Sequence, residues 1–331
     1  MQAQTVTEPP IETRWIGIDV AKLTVHAALH GGMDESFERT AEGMARLARW
    51  ARLQSGGDSS LRVILEATGR YSTEAMAWLL EADPALTPAC VNPLHAKRFA
   101  QSLGTRNKTD RVDARILARM GAERKPPPHE PPGPATRELR SLVRERRELV
   151  AERTRLTNRI GEGTNSAFVR KERARLLKSI ETTLVRMDRE IARTIAASDV
   201  LRVDIARLLT IPGVGIITAA TVLAELGDLR RFATGRQLAA FAGLSPRRHE
   251  SGTSVHGRTR MCKQGNPSVR ATLYMSAVTT ARMEKGMKAT YQHLLANGKA
   301  PKAALGALMR RQLLLMRALL AHNSDYLPGE K

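Results

Sequence analysis

The first third of the chain alternates short apolar runs with amphipathic segments, a pattern typical of mixed α/β structure. The predicted strands are WIGIDVAKLTVHAAL (15–29), as one long strand or as a hairpin, RVILEATG (62–69) and TPACVNP (87–93). Leu47, Trp50 and Leu53 recur at helical intervals and predict a first helix. Two further helices are predicted, one over STEAMAWLLEA (72–82) with a serine cap and one over roughly 107–122. Strands that alternate with helices indicate an α/β domain.

The rest of the chain is predicted to be mostly helical. The proline-rich segment KPPPHEPPGP interrupts all periodicity and predicts a stiff linker. Apolar positions recur at helical spacing on both sides of GEGTNS (161–166), which favours two helices folded into a hairpin that pairs with another subunit, although a solvated spacer helix fits equally well. The predicted regions are an α/β domain (14–125), a linker (126–134), a helical hairpin or coiled coil (135–198) and a mostly α C-terminal domain with a loop-rich centre (200–325).

The most apolar segment, LLTIPGVGIITAATVLAEL (208–226), has the form of a helix, a Pro-Gly-Val-Gly turn and a second helix. Because Pro and Gly interrupt it and Glu225 lies near its end, it does not predict a membrane-spanning helix. Gly213 and Gly215 allow close backbone approach, and the following helix offers free N–H groups to a phosphate. The segment therefore resembles helix-hairpin-helix modules that grip nucleic-acid backbones, although an ordinary tight helix connection also uses Pro and Gly.

Composition narrows the partners of the chain. Its 331 residues include 53 Lys and Arg against 33 Asp and Glu, a formal charge of +20, which favours polyanions and nucleic acid above all. Cys90 and Cys262 are the only cysteines and lie far apart, so neither a disulfide framework nor a structural zinc site is expected. Together with an N-terminus that lacks the pattern of a secretory signal, this favours the reducing cytoplasm.

Four carboxylates in the α/β region form a candidate metal site. Asp19 lies inside an apolar strand and Glu66 ends another, where a carboxylate is costly to bury unless it binds a cation or hydrogen-bond donors. Asp110 and Asp113, in RNKTDRVDAR, share one helix face, and Lys108 beside them is a candidate phosphate ligand. If the four carboxylates converge, they would hold Mg²⁺, and two metals could clamp a phosphodiester. Three of them also have ordinary explanations: Asp110 as a helix cap, Asp113 as a first-turn acid and Glu66 as a strand-end residue.

The segment SPRRHESGTSVHGRTRMCKQGN (245–266) combines hydroxyl groups with many cations. The cations are Arg247, Arg248, Arg258, Arg260 and Lys263, all candidate ligands for DNA or RNA phosphates. A serine among them could attack a phosphodiester. The residues alone do not distinguish Ser251 from Ser245 or Ser254, because SG and GTS also occur in plain turns.

Five motifs occur in one order between about residues 14 and 320: WIGIDVAK, ILEATG, NKTDRVDAR, IPGVG and QLAAFAGLSPRRHESGTSVHGRTRMCKQGN. This ordered set resembles the IS-one-ten insertion-sequence transposases, which are DEDD transposases and bridge-RNA-guided DNA recombinases. The resemblance implies a ribonuclease-H-like N-terminal domain of the Holliday-junction-resolvase type, a coiled coil and a C-terminal transposase domain with a nucleophilic serine. It maps the family's acidic residues and serine onto Asp19, Glu66, Asp110, Asp113 and Ser251.

The resemblance implies a recombinase that joins an insertion element to its target. Attack by Ser251 would leave a 5′-phosphoserine and a free 3′-hydroxyl, conserving bond energy for rejoining. The implied cofactors are Mg²⁺ or Mn²⁺ and a guide (bridge) RNA. The implied partners are DNA at the element ends and the target, and further copies of the chain in a dimer or tetramer, within the bacterial cytoplasm at the nucleoid. Two alternatives stay open: a metal-dependent, structure-selective nuclease in which Ser251 only binds phosphate, and a non-enzymatic nucleic-acid-binding protein.

Overall fold

The computed structural model describes residues 13–56, 60–105, 109–129, 131–251, 255–262, 264–283 and 287–327, with the backbone only at 87, 247–251 and 255–260. The chain divides into two compact units, Met1–Pro131 and Pro132–Lys331. The first unit is mixed α/β, and the second is mainly helical. Within the described ranges, no helix is both long enough and apolar enough to cross a membrane.

In its described residues, the first unit contains a five-stranded sheet and four helices. Its strands are β1 (Trp15–Val20), β2 (Thr24–Leu29), β3 (Asp34–Glu38), β4 (Arg62–Glu66) and β5 (Thr87–Val91), and its helices are α1 (Ala41–Gln54), α2 (Arg70–Ala82), α3 (Pro93–Ser102) and α4 (Asp110–Arg124). The strand order is β3-β2-β1-β4-β5. The first three strands are antiparallel neighbours, whereas β1, β4 and β5 run parallel. Residues 15–29 are therefore a hairpin rather than one long strand.

Successive side chains of a strand point to opposite faces of the sheet, and apolar residues occupy both faces here. Helices therefore pack on both faces. Ile16 and Ile18 point into a core shared with α1 and α2, while Trp15 belongs to a second core with α3 and α4. Gly17 shares the face of Trp15, and a Cβ atom there would overlap the carbonyl oxygen of Ala114 and the amide nitrogen of Ala118. Glycine thus lets the backbone of α4 lie directly on β1, which brings the start of α4 toward the end of that strand.

The described residues of the second unit form a helical assembly and a small hairpin of strands. Its helices are α5 (Pro134–Gly161), α6 (Ala167–Ala196), α7 (Asp199–Leu209), α8 (Ile216–Leu226), α9 (Gly235–Phe241), α10 (Pro267–Thr280), α11 (Lys288–Ala296) and α12 (Pro301–His322). The strands β6 (Pro246–Ser251) and β7 (Val255–Met261) form an antiparallel pair where a loop was expected. Val255 and Thr259 supply β-branched residues at alternate positions of β7, a strand signal hidden among glycines and cations.

The two longest helices, α5 and α6, pack along each other. Along their middle they share a small core of Leu156, Ile180 and Leu184. At one end, Leu139 of α5 and Ile191 of α6 belong to the large core of the second unit. One half of this helical pair is therefore embedded in the unit, while most residues of the other half are exposed.

Candidate active site

Asp19 lies near the end of β1, on the face of the sheet that α4 covers. It follows Trp15 and Gly17 at two-residue intervals, so its side chain leaves the strand on the same side. Trp15 contacts the position of Gly121, and Gly17 contacts Ala114 and Ala118, so α4 runs antiparallel to β1. The first turn of α4 therefore lies closest to Asp19.

Asp110 and Asp113 act electrostatically on Asp19. Burial, followed by the negative charges of Asp110 and then Asp113, raises the pKa of Asp19 from 3.8 to about 6, against smaller opposing effects of His26 and of a hydrogen bond from the Val20 amide. Three of the four predicted carboxylates therefore belong to one electrostatic cluster. Burial and the charges of the two neighbours together disfavour the ionised form of Asp19.

The start of α4 is fixed by Thr109 rather than by Asp110. The Thr109 hydroxyl accepts a hydrogen bond from the Val112 amide at 3.3 Å, and Thr109 has the extended backbone of an N-cap residue. Helix capping thus does not explain Asp110. Both aspartates occupy the first turn, where the helix dipole stabilises negative charge.

Glu66 is placed beside Asp19 by the register of the parallel strands. Ile18 pairs with Leu65, so the next residues along β1 and β4 are neighbours on the same face and at the same edge of the sheet. Yet among the residues that the structure describes, no three His, Cys, Asp or Glu side chains lie close enough to form a ready-made metal site. Asp19, Asp110 and Asp113 thus share one electrostatic environment, with Glu66 on the adjacent strand.

Asp34 is a residue near this cluster that the sequence did not indicate. Asp34 is the first residue of β3, and its side chain is 9% exposed. The carboxylate forms ion pairs with two arginines of α4, Arg111 at 2.6 Å and Arg115. Although burial opposes ionisation, the hydrogen bonds and charges of the two arginines hold the pKa of Asp34 below its ordinary value. Asp34 thereby ties α4 to the sheet and holds two cations that are sequence neighbours of Asp110 and Asp113.

Replacing Asp34 with Asn is expected to weaken metal binding about three- to tenfold, because the released guanidinium groups of Arg111 and Arg115 can then compete for the carboxylates of α4. The measurement is a Mg²⁺ titration followed by calorimetry. Glu123→Gln is the matched control, since it breaks the exposed Arg119–Glu123 ion pair farther along the same helix. An unchanged Mg²⁺ affinity in Asp34→Asn would show that Asp34 does not tune the cluster.

Ser251 is the last residue of β6, opposite Val255 of β7. Arg247 pairs with Arg260 in the same ladder, with a register shift between Arg247 and His249. Arg248 and Arg258 lie on these strands as well, whereas Lys108 and Lys263 lie outside the described residues. Ser251 and four of the five predicted cations of this segment thus occupy one two-stranded hairpin in the second unit, while the acidic cluster belongs to the first.

The two glycines of the IPGVG motif have different surroundings. Gly213 has a φ of +81°, and a Cβ atom there would overlap the Thr280 hydroxyl of α10. Thr280 also donates to the Pro212 carbonyl at 2.8 Å, so packing against α10 accounts for this glycine. Gly215 is exposed, has open space where a Cβ would lie, and precedes α8 with no side-chain cap. The start of α8 is therefore the part of the motif that remains open to a phosphate.

Comparisons with known proteins agree with this organisation. Residues 205–292 match the model of the "Transposase IS116/IS110/IS902 family", and residues 16–168 match a second model, DEDD_Tnp_IS110, described as "Transposase". The chain is 31% identical over 324 residues to the pilin gene-inverting proteins of Moraxella lacunata and Moraxella bovis, covering 94% of this chain and 97% of each relative. It is 34% identical over 129 residues to the transposase for insertion sequence element IS1111A of Coxiella burnetii, covering 38% of this chain and 35% of that protein.

Proposed function

The chain belongs to the IS116/IS110/IS902 family of transposases and is a DNA recombinase, and from this premise we propose that it cleaves and exchanges DNA strands through Ser251 with a divalent metal at the acidic cluster. The observation that carries the proposal is that burial, together with the negative charges of Asp110 and Asp113, raises the pKa of Asp19 to about 6. A divalent cation would stabilise the ionised form of Asp19 against both effects. The donors are all carboxylate oxygens, which suit Mg²⁺ or Mn²⁺.

In this proposal Asp19, Glu66, Asp110 and Asp113 would hold the metal. When bound, it would supply Lewis-acid chemistry, which lowers the pKa of a nucleophile or stabilises a leaving oxygen. The Ser251 hydroxyl loses its proton and attacks phosphorus. The bond from phosphorus to the 3′ oxygen breaks, that oxygen takes up a proton, and a 5′-phosphoserine is formed. Attack by the 3′-hydroxyl of another strand releases Ser251 and joins the two DNA strands.

The cations of the β6–β7 hairpin would neutralise the phosphoryl oxygens during these steps. We propose that DNA or RNA phosphates contact the open start of α8 at Gly215 and six basic side chains. These side chains are Arg247, Arg248, Arg258, Arg260, Lys263 and Lys108. Gly213 would contribute indirectly, by letting the turn pack on α10.

The proposed architecture and partners follow the family. The strand order of the first unit supports a ribonuclease-H-like domain (14–125), followed by a linker (126–134). The long helices support a coiled coil (135–198), and the remaining helices support a C-terminal transposase domain with a helix-hairpin-helix (200–325). We propose that a guide RNA selects the DNA, that a dimer or tetramer joins element ends to target, and that the protein acts in the bacterial cytoplasm at the nucleoid.

End-labelled DNA spanning an element junction, incubated with the protein, guide RNA and Mg²⁺, tests the proposal on a denaturing gel. The wild-type protein is expected to form a protease-sensitive covalent adduct that Ser251→Ala and Asp19→Ala both abolish. Ser254→Ala is the matched control and should retain the adduct.

Other outcomes identify the alternatives. Free cleaved ends from wild type and Ser251→Ala alike, lost only in Asp19→Ala, would contradict the serine mechanism and indicate a metal-dependent nuclease. No covalent change in the DNA, with binding unaffected by Asp19→Ala, would indicate a non-enzymatic nucleic-acid-binding protein.

A further inference from the structure

Positive charge is concentrated at the free end of the α5–α6 pair. We call residues 152–178 the distal half and residues 134–151 with 179–196 the proximal half. The distal half has eight Lys and Arg against three Glu, a formal charge of +5, whereas the proximal half has eight basic against six acidic residues, a formal charge of +2. The half that lacks the large core thus carries the greater excess of positive charge.

Ion pairs accentuate this difference. In the proximal half, Arg144 is held by Glu225 at 2.7 Å and Arg146 pairs with Asp188. In the distal half, the one ion pair within the described chain joins Arg155 to Glu152 at 3.9 Å. Arg144 and Arg146 therefore fix packing, while most distal cations keep their charge available to a ligand.

The cations of α6 in the distal half share one face with an exposed aromatic ring. Phe168, Lys171, Arg175 and Lys178 follow one another at intervals of three, four and three residues, so they form a single stripe about 15 Å long. All four residues are exposed, and Phe168 is 72% exposed. We call these four residues the basic stripe.

We propose that the basic stripe binds a single-stranded segment of nucleic acid, with phosphates on Lys171, Arg175 and Lys178 and an unpaired base stacked on Phe168. An exposed ring flanked by cations suits such a ligand because bases stack on aromatic side chains while cations follow the backbone. A duplex offers phosphates but keeps its bases stacked inside, so it uses only part of the stripe. A second copy of the chain fits less well, because docking two such stripes would bring like charges together.

Two sources of the ligand share this chemistry: a loop of guide RNA and an unpaired DNA strand. The inference concerns binding alone and is independent of Ser251 chemistry. It is therefore tested without metal, in conditions where no strand is cleaved.

The test measures fluorescence anisotropy of labelled single-stranded RNA, single-stranded DNA and duplex DNA of equal length with the full-length protein at several salt concentrations. The triple variant Lys171→Gln, Arg175→Gln, Lys178→Gln is expected to weaken single-strand binding at least about tenfold and to reduce the slope of log affinity against log salt by about 2. Phe168→Ala should weaken single-strand binding about five- to thirtyfold with little effect on duplex, and Phe168→Trp should restore it.

The matched control removes three exposed arginines of the proximal half: Arg137→Gln, Arg186→Gln, Arg193→Gln. An equal loss of affinity in this control would overturn the proposal, since it would reduce the stripe to general charge. The proposal would also be overturned if Phe168→Ala bound single strands as tightly as the wild type. A Phe168→Ala protein that changed its oligomer mass and not its affinity for single strands would overturn it in favour of a contact between copies of the chain. If the stripe variants lose affinity for single-stranded RNA alone, the ligand is the guide RNA. If they lose affinity for single-stranded RNA and single-stranded DNA equally, the stripe binds any unpaired strand.

Discussion

Asp19→Asn is expected to abolish DNA cleavage, by about 10³-fold or more, and at the same time to stabilise the metal-free protein at pH 7.5. Folding raises the pKa of Asp19 from 3.8 to about 6, so the folded state favours the protonated carboxyl. Protonated Asp19 therefore contributes its full stabilisation of the folded state below pH 3.8, and this stabilisation is lost as the pH rises through 6. Above pH 6 the ionised carboxylate therefore costs about 3 kcal/mol.

Asparagine removes the charge and keeps an oxygen that can accept the hydrogen bond from the Val20 amide. Urea unfolding in EDTA at pH 7.5 should therefore show a gain of about 1–3 kcal/mol, shrinking toward zero near pH 4. Asp83→Asn is the control of opposite sign. Asp83 pairs with Arg52 at 2.7 Å, and hydrogen bonding to that arginine lowers the pKa of Asp83, so its loss should destabilise the protein at pH 7.5 without affecting cleavage. A loss of stability in Asp19→Asn at pH 7.5 would contradict the raised pKa of Asp19.

The secondary-structure positions of the four predicted acidic residues could be read from local sequence patterns. Asp19 is the one carboxylate within an apolar run that predicts a strand, and Glu66 ends the next such run. The spacing of Asp110 and Asp113 predicts that both lie on one face of a helix. The alternative between one strand and a hairpin at 15–29 depended on a short turn, in which the Ala21 amide donates to the Thr24 carbonyl at 2.9 Å. Nothing in the composition of that turn distinguishes it clearly from a bulge.

Features that depend on distant partners were not accessible. Asp34 and Arg115 are 81 residues apart, and each resembles an ordinary surface charge until the sheet brings β3 next to α4. The β6–β7 hairpin was missed because glycines and cations dominate its composition and β-branched residues are few. Gly213 suggested a ligand contact, whereas Thr280 of α10 occupies the space beside it. In each case a partner far away in sequence decides the role.

Gly17→Ala is expected to destabilise the first unit by about 3 kcal/mol or more, because the added methyl group would overlap backbone atoms of Ala114 and Ala118 that cannot turn aside. Urea unfolding and hydrogen exchange of α4 would measure this effect. Gly161→Ala, at the end of α5 with open space around it, is the matched control and should be neutral or stabilising by up to about 1 kcal/mol.

Gly17→Ala protein that remains folded allows a second measurement, of the pKa of Asp19 and of the affinity for Mg²⁺. To relieve the overlap, α4 must move away from β1, which takes Asp110 and Asp113 away from Asp19. The pKa of Asp19 should then fall from about 6 toward 3.8, and Mg²⁺ affinity should fall with it, because the same approach of the helix creates both the repulsion and the proposed metal site. If Gly17→Ala folds with full stability and the pKa of Asp19 stays near 6, the close contact between α4 and β1 is not what assembles the acidic cluster.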